Sequence, residues 1–333
     1  MNRRQFMQSV VGGAVGMMAG EALAGTTTGQ GQSRTAGPAR TSVALVRTDN
    51  RNSGIKRAIK LLGENPVVGK RVLLKPNFNT ADPFPASTHN DTLVQLVAEL
   101  RGMGAKAITI GERSGPPDTV DVLRDKGIYE LCNRLDVGLI NFEELPPESW
   151  TRVTPPDSHW NDGFLVAKPL LEAECVVVTC CLKTHGYGGV FTMSLKNSVG
   201  FVHKNNMREL HTSFLSQRKM IAEVNVPYRP ALILLDGLEA FIDKGPMKGP
   251  KKRADVILAG TDRIAIDAVG LAVLKDLGSN RAIMDTAIFA QEQISRAVEL
   301  RLGVTGPGAI EIVSDDESGR SYSEKLRQIL AKG

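Results

Sequence analysis

Short runs of β-branched and aliphatic residues recur along the chain, at residues 43–46, 71–74, 107–110, 138–140, 175–179, 231–235, 256–259 and 310–313. Several are apolar at every position, the pattern of strands buried on both faces rather than on one. Between them the period changes. Residues 91–103 (DTLVQLVAELRGM) place Leu93, Leu96, Val97 and Leu100 on one helical face, and Gly104 follows as a stop. Residues 119–126 and 264–277 repeat that period. Strand–helix alternation without an internal repeat predicts an α/β domain, a mainly parallel doubly wound sheet with helices on both faces. Two segments break the rhythm. Residues 145–163 hold four prolines and both tryptophans and are expected to be largely irregular, and residues 243–253 (DKGPMKGPKKR) form a basic Pro/Gly loop. Either is a surface loop or a lid over a site.

The polar residues fall where such a sheet keeps its ligands. The run at 71–74 passes into Lys75-Pro76-Asn77, the run at 107–110 into Gly111-Glu112-Arg113, and the run at 138–140 into Asn141. The run at 175–179 leads through Cys180 and Cys181 to Lys183-Thr184-His185, the run at 231–235 to Asp236-Gly237, and the run at 256–259 to Gly260-Thr261-Asp262. In a parallel sheet these carboxyl ends share one edge, where open α/β folds bind ligands. The densest stretch, 183–211, supplies Lys183, His185, Lys196, Asn197, His203, Lys204 and His211 among glycines. It matches neither phosphate-loop nor dinucleotide glycine spacing, so it predicts an anion site of unspecified kind.

Histidines and cysteines raise a metal alternative. His185, His203 and His211 lack the tight spacing of a two-histidine ligand pair. Cys180 and Cys181 point to opposite faces if the strand continues through them, and Cys175 lies too far along the strand to share an ion with Cys181. Cys132 and these three are expected to be buried thiols, with no iron–sulfur motif in the chain. A divalent cation, if one is held, would fall to Asp236, Glu239 and Asp262; as helix caps, Asp236 and Asp262 have an equally ordinary explanation.

The amino terminus adds a targeting layer. Asn2-Arg3-Arg4-Gln5-Phe6-Met7 precedes a small, weakly apolar run and then Ala22-Leu23-Ala24. This order predicts a twin-arginine signal peptide over 1–24, cleaved after Ala24, with the twin-arginine export machinery as partner and a periplasmic or other extracytoplasmic destination. Residues 25–40 read as a flexible linker, leaving one large domain at 41–333. The full chain carries +5, and removing Arg3, Arg4 and Glu21 leaves +4. That mild excess, without a basic stripe, suits a small anionic partner and not nucleic acid. No further segment is apolar for the roughly 18 residues a membrane span needs, so the mature form is not expected to be membrane-embedded.

The ordered series Leu74-Lys75-Pro76-Asn77, Lys183-Thr184-His185, Ser194-Leu195-Lys196-Asn197 with Gly200, Asp236-Gly237-Leu238-Glu239, Gly245-Pro246, and Asp262 with Ala265-Ile266-Asp267 resembles the domain-of-unknown-function 362 family. The resemblance spans about 71–277 and implies no assigned reaction. Some members carry an added ferredoxin-like segment with cysteine-ligated clusters, but this chain has no cysteine after Leu277.

The resulting expectation is an exported protein binding a small carboxylate or phosphate. Lys75, Asn77, Glu112, Lys196 and Asn197 contact the ligand, and His185, Lys183 and Asp236 carry acid–base chemistry. The rivals are a metal- or redox-cofactor protein exported folded, and a solute-binding protein without catalysis.

Overall fold

In the computed structural model, residues 40–333 are described. The leader expected at 1–24 and nearly all of the linker lie outside them. All eight runs of the sequence pattern are strands. With three more they give β1 (Thr41–Arg47), β2 (Arg71–Lys75), β3 (Ala107–Glu112), β4 (Gly138–Asn141), β5 (Trp150–Val153), β6 (Phe164–Ala167), β7 (Cys175–His185), β8 (Val190–Thr192), β9 (Leu232–Phe241), β10 (Lys251–Gly260) and β11 (Ile310–Val313). Nine of them form one sheet in the order β11-β1-β10-β9-β7-β2-β3-β4, with β8 added onto β7; β5 and β6 make a separate ribbon.

The sheet is mostly parallel, with β9, β7, β2, β3 and β4 aligned. The exceptions are the hairpin strand β8 and β10, which runs antiparallel to both β1 and β9. This corrects one expectation. Gly260 at the end of β10 pairs with Ile233 at the start of β9, so Asp262 emerges at the sheet edge opposite the carboxyl ends of β2, β3 and β7. Of the basic loop expected at 243–253, residues 243–250 are the turn that lets β10 return alongside β9 and residues 251–253 open β10 itself, which a strand–helix rhythm did not anticipate.

Alternation along each strand divides the core between two faces. Leu74 and Val177 pack with Ile55, Leu93, Leu96 and Leu100 from the helices Arg51–Leu62 and Asn90–Gly102. Leu73, Val176 and Val178 face the other way, onto Trp150, Trp160 and Phe164. The proline-rich segment is thus only partly irregular: β5 lies within it, and both tryptophans are core. The helix Arg263–Leu277 packs almost wholly buried against β10 and β9. Asp262 caps it, accepting from the amides of Ile264 at 2.8 Å and Ala265 at 2.9 Å. Among the described residues no helix is long and apolar enough to cross a membrane.

Two strands run longer than their apolar cores suggest. β7 continues through Thr179, the two cysteines, Lys183 and Thr184 to His185, buried at all eleven positions. β9 continues past Asp236 to Phe241. Polar residues in the extension of β7 look like loop but are buried strand, and that extension carries Lys183 and His185 beyond the ends of β2 and β3.

Candidate functional site

A cavity of about 560 Å³ opens where β2, β3 and β7 end. Six cationic side chains line it, Lys75, Arg113, Lys183, Lys196, Lys204 and Arg208, against the single carboxylate of Glu112. Asn77, Asn197 and His185 also line it, so seven of the sequence-expected residues come together. Lys75, Arg113 and Lys183 are buried and Lys196 partly so, and withdrawing that much positive charge from water around one space is costly unless an anion completes it.

The lining residues divide by how fully they are already engaged. Lys75, buried at the end of β2, is ion-paired with Glu112 and donates to the carbonyl of Pro76 at 2.7 Å. Glu112 also accepts from the amides of Phe78 at 2.7 Å and Arg113 at 2.9 Å. Burial lowers the pKa of Lys75 and raises that of Glu112, and their mutual attraction opposes both shifts. This pair is therefore a strut of the cavity wall rather than an open cation and an open carboxylate. Gly200 makes it fit: a Cβ there would stand 2.6 Å from Lys75 Nζ and 2.8 Å from Glu112 Oε1. Asn197 donates to the carbonyl of Thr179 at 3.1 Å. Arg113 spans the wall, donating to the carbonyls of Ser114 at 2.7 Å and Val199 at 2.6 Å.

Other groups are engaged less or not at all. Lys183 donates only to the carbonyl of Ala86, and burial lowers its pKa to about 8. Lys196, partly buried, has no hydrogen-bond partner for Nζ among the described residues. Desolvation, then the charges of Lys183 and Arg113, bring its pKa to about 7. Asn77 Oδ1, Arg113 Nε, Ser114 Oγ and Thr192 Oγ1 are buried without partners, and all four belong to cavity residues. A polar ligand in the cavity would answer that deficit.

His185 closes β7 and opens a tight turn to β8. Its Nδ1 accepts from the amides of Tyr187 and Gly189, each at 3.3 Å. The turn carries Gly188 and Val190 at positive φ, +82° and +66°. Positive φ at a β-branched residue is strained and holds only because the hairpin and its packing enforce it. With Nδ1 accepting, neutral His185 carries its proton on Nε2. Burial and the neighbouring Lys196 and Lys183 charges push its pKa well below 6.5. It is placed to donate a hydrogen bond as a neutral imidazole more than to act as a base at pH 7. Lys196 is its neighbour: a Cβ on Gly189 would lie 2.9 Å from His185 Nδ1 and 3.1 Å from Lys196 Cε.

Lys196 and Asn197 sit on the one-turn helix Ser194–Asn197, too short to hold itself. Asp267, fully buried in the helix Arg263–Leu277, accepts from its first amides, Ser194 at 2.7 Å and Leu195 at 3.0 Å. The cavity also draws on Arg113 and His211, which the sequence named at a strand end and in the 183–211 stretch without giving them a role, and on Ser114 and Thr192, which it did not single out. Arg113 and Ser114 directly follow Glu112 at the end of β3, so strand-end position was a usable signal for them.

The three expected carboxylates do not meet. Asp236 is buried mid-strand and faces away from the cavity, accepting from Arg51 Nε and Thr92 Oγ1, both at 2.7 Å. The reason is the extension of β9, which leaves no strand end at Asp236. Glu239 is ion-paired with Lys251 at 2.9 Å, and Asp262 holds its helix and the amide of Val304 at 2.7 Å. Among the described residues no group of three His, Cys, Asp or Glu side chains stands close enough to hold a metal ion. Cys180 packs into the core on the face of the helix Arg263–Leu277, and all four cysteines are buried and unpaired by disulfides.

Comparison with known proteins places these motifs. The chain is 25% identical over 247 residues to a thylakoid-associated protein of Synechocystis sp., covering 70% of this chain and 74% of that one. Among solved structures it is similar to the lactate racemase apoprotein from Thermoanaerobacterium thermosaccharolyticum, at 12% identity, a TM-score of 0.44 and 86% coverage of each chain. A family model matches residues 72–272, from β2 and its Lys75 to the helix capped by Asp262, and with well over half of its length inside that match the chain belongs to the family described as Domain of unknown function (DUF362).

Proposed function

We propose that this is an exported enzyme that binds a small carboxylate or phosphate in the cavity at the ends of β2, β3 and β7, with Lys196 and His185 as its reacting groups. The observation that carries the reading is the imbalance of the lining, in which Arg113, Lys183, Lys196 and Arg208 have no carboxylate partner among the described residues while Lys75 and Lys204 are paired, beside the partnerless donors Arg113 Nε, Ser114 Oγ and Thr192 Oγ1. Lys183, Lys196 and Arg113 neutralise the anion, and Asn77, Ser114 and Thr192 orient it. Lys196, near neutrality, exchanges a proton at pH 7, while His185 Nε2–H donates to a substrate oxygen. Asp236 has no part in this chemistry, since it is spent on Arg51 and Thr92. Export rests on the Arg3-Arg4 leader ending at Ala24.

The test begins with the protein recovered from the extracytoplasmic fraction, its amino terminus expected at Gly25. Thermal unfolding is then followed against a panel of carboxylates and phosphate monoesters. A matching anion at a hundredfold excess over Kd stabilises the fold by about 2.7 kcal/mol, and Lys196→Met and Lys183→Met each remove most of that. An unmoved midpoint across the panel sinks the anion-site reading. Anion binding that survives His185→Ala, with no turnover in either protein, would instead favour a solute-binding protein without catalysis.

A further inference from the structure

We infer that Lys196 is a nucleophile that forms an imine with the carbonyl carbon of a 2-oxo acid, the carboxylate of which is held by the surrounding cations. This deepens the anion-site reading and rests on it. The argument starts from what Lys196 lacks. Lys75 is tied to Glu112, Lys204 to Glu143 and Asp118, and Lys183 to the carbonyl of Ala86. Lys196 alone among the cavity lysines has no acceptor for its amine among the described residues, and no carboxylate stands by to keep it protonated. An amine flanked by other cations and withdrawn from water is the arrangement that leaves a lysine unprotonated and nucleophilic at neutral pH.

The neighbours supply what carbonyl addition requires. Lys183 and Arg113, the two cations that act most on Lys196, are placed to hold a carboxylate beside it. His185 has Nδ1 occupied by the backbone of its own turn, so its Nε2–H is available for the carbonyl oxygen. Thr192 Oγ1, buried and partnerless, lies on the strand paired with Lys183 and offers a partner for the hydroxyl of the addition product. In the step itself the Nζ lone pair forms a bond to the carbonyl carbon while the C–O π electrons move to oxygen, which takes up a proton. That proton is, in net terms, one of the two on the amine, and loss of the hydroxyl with the second amine proton as one water leaves the neutral C=N bond. No oxidant or reductant is consumed.

The experiment traps the bond. The exported protein is incubated at pH 7 with pyruvate, and separately with glyoxylate, together with sodium cyanoborohydride. The reductant delivers hydride to an imine carbon and leaves a stable secondary amine. Peptide mapping by mass spectrometry then locates it. At pH 7 about half of an amine with a pKa near 7 is unprotonated, against well under a thousandth of an ordinary lysine, so Lys196 should label at least a hundredfold faster than lysines of ordinary pKa, and faster than Lys183 with its pKa of about 8. Its labelling rate should level off above pH 7 to 8, and inorganic phosphate should compete. Lys196→Arg should carry no adduct there. If that variant does not fold, the pH profile of the unaltered protein decides alone: a rate still climbing towards pH 10 overturns the proposal. Label spread over lysines by exposure, or no Lys196 adduct with either compound, overturns it too. Thermal shifts by phosphate and carboxylates in the same samples show separately whether the anion-site reading stands.

Discussion

At the scale of single residues, the cavity depends on one hydrogen atom where a methyl group would otherwise be. Gly200 sits against the Lys75–Glu112 pair, and a Cβ would approach Lys75 Nζ to 2.6 Å and Cε to 2.7 Å. Both partners are buried, so neither can swing into water to make room. Gly200→Ala must therefore either displace the helical turn around it or part the ion pair. Overpacking of this kind costs about 1–3 kcal/mol, and parting a buried pair costs about 3–5 kcal/mol. The denaturant midpoint should fall accordingly, and anion binding should weaken because Phe78 and Arg113 lose their common anchor on Glu112. A midpoint within about 0.5 kcal/mol of the unaltered protein would mean that the pair does not brace the wall as described. The types and positions of Lys75 and Glu112 were legible as polar residues ending apolar strands. That they answer each other was not, because a strand-end rule says which edge a residue reaches and nothing of which neighbour it meets there.

At the scale of elements, strand cores were legible and strand lengths were not. A continuous apolar run marks a buried strand, but β7 and β9 continue through polar residues whose burial depends on partners far away in sequence. Asp236 shows the consequence. Read as a helix cap or catalytic acid, it lies mid-strand against Arg51 and Thr92, and the helix that carries Arg51 was not foreseen either. Asp267 shows the reverse. The sequence shows it only as a member of the family series inside the 264–277 helix, yet it anchors the turn that presents Lys196 and Asn197. Burial raises its pKa to about 7, so its hold on that turn is poised near neutrality. Asp267→Ala should leave two amides unmet at a cost of about 1–3 kcal/mol each, partly recovered by water. It should also weaken anion binding about tenfold or more, since the loosened turn costs ordering entropy on binding. Asp267→Asn, which keeps one acceptor, should fall between the two. Equal anion affinity in all three proteins would show that the turn holds itself.

At the scale of the whole molecule, burying cations for a ligand links stability to pH with an unusual sign. A lysine that gains an acidic partner has its pKa raised on folding, but Lys183 and Lys196 have theirs lowered, to about 8 and about 7. In the unfolded chain both amines bind protons below roughly 10.4. Between that value and the folded ones the unfolded state holds more protons, so stability rises with pH across the interval. The contribution is fully present above about 10.4, is lost as pH falls, and is gone below about 7. Anion binding runs the other way, because it needs the charged amines: affinity should be greatest below pH 7 and decline through pH 7 to 8. The ligand-free unfolding midpoint should therefore climb from pH 6.5 to 9 while the increment from a bound carboxylate or phosphate shrinks. Lys196→Met should flatten both trends, removing the charge that the empty cavity resists and the anion requires. Unfolding scans at several pH values, with and without anion, separate this from a general titration of surface groups, which would move both curves together. A ligand increment that grows with pH would mean that the anion meets these amines uncharged, and the electrostatic account of the cavity would have to be abandoned.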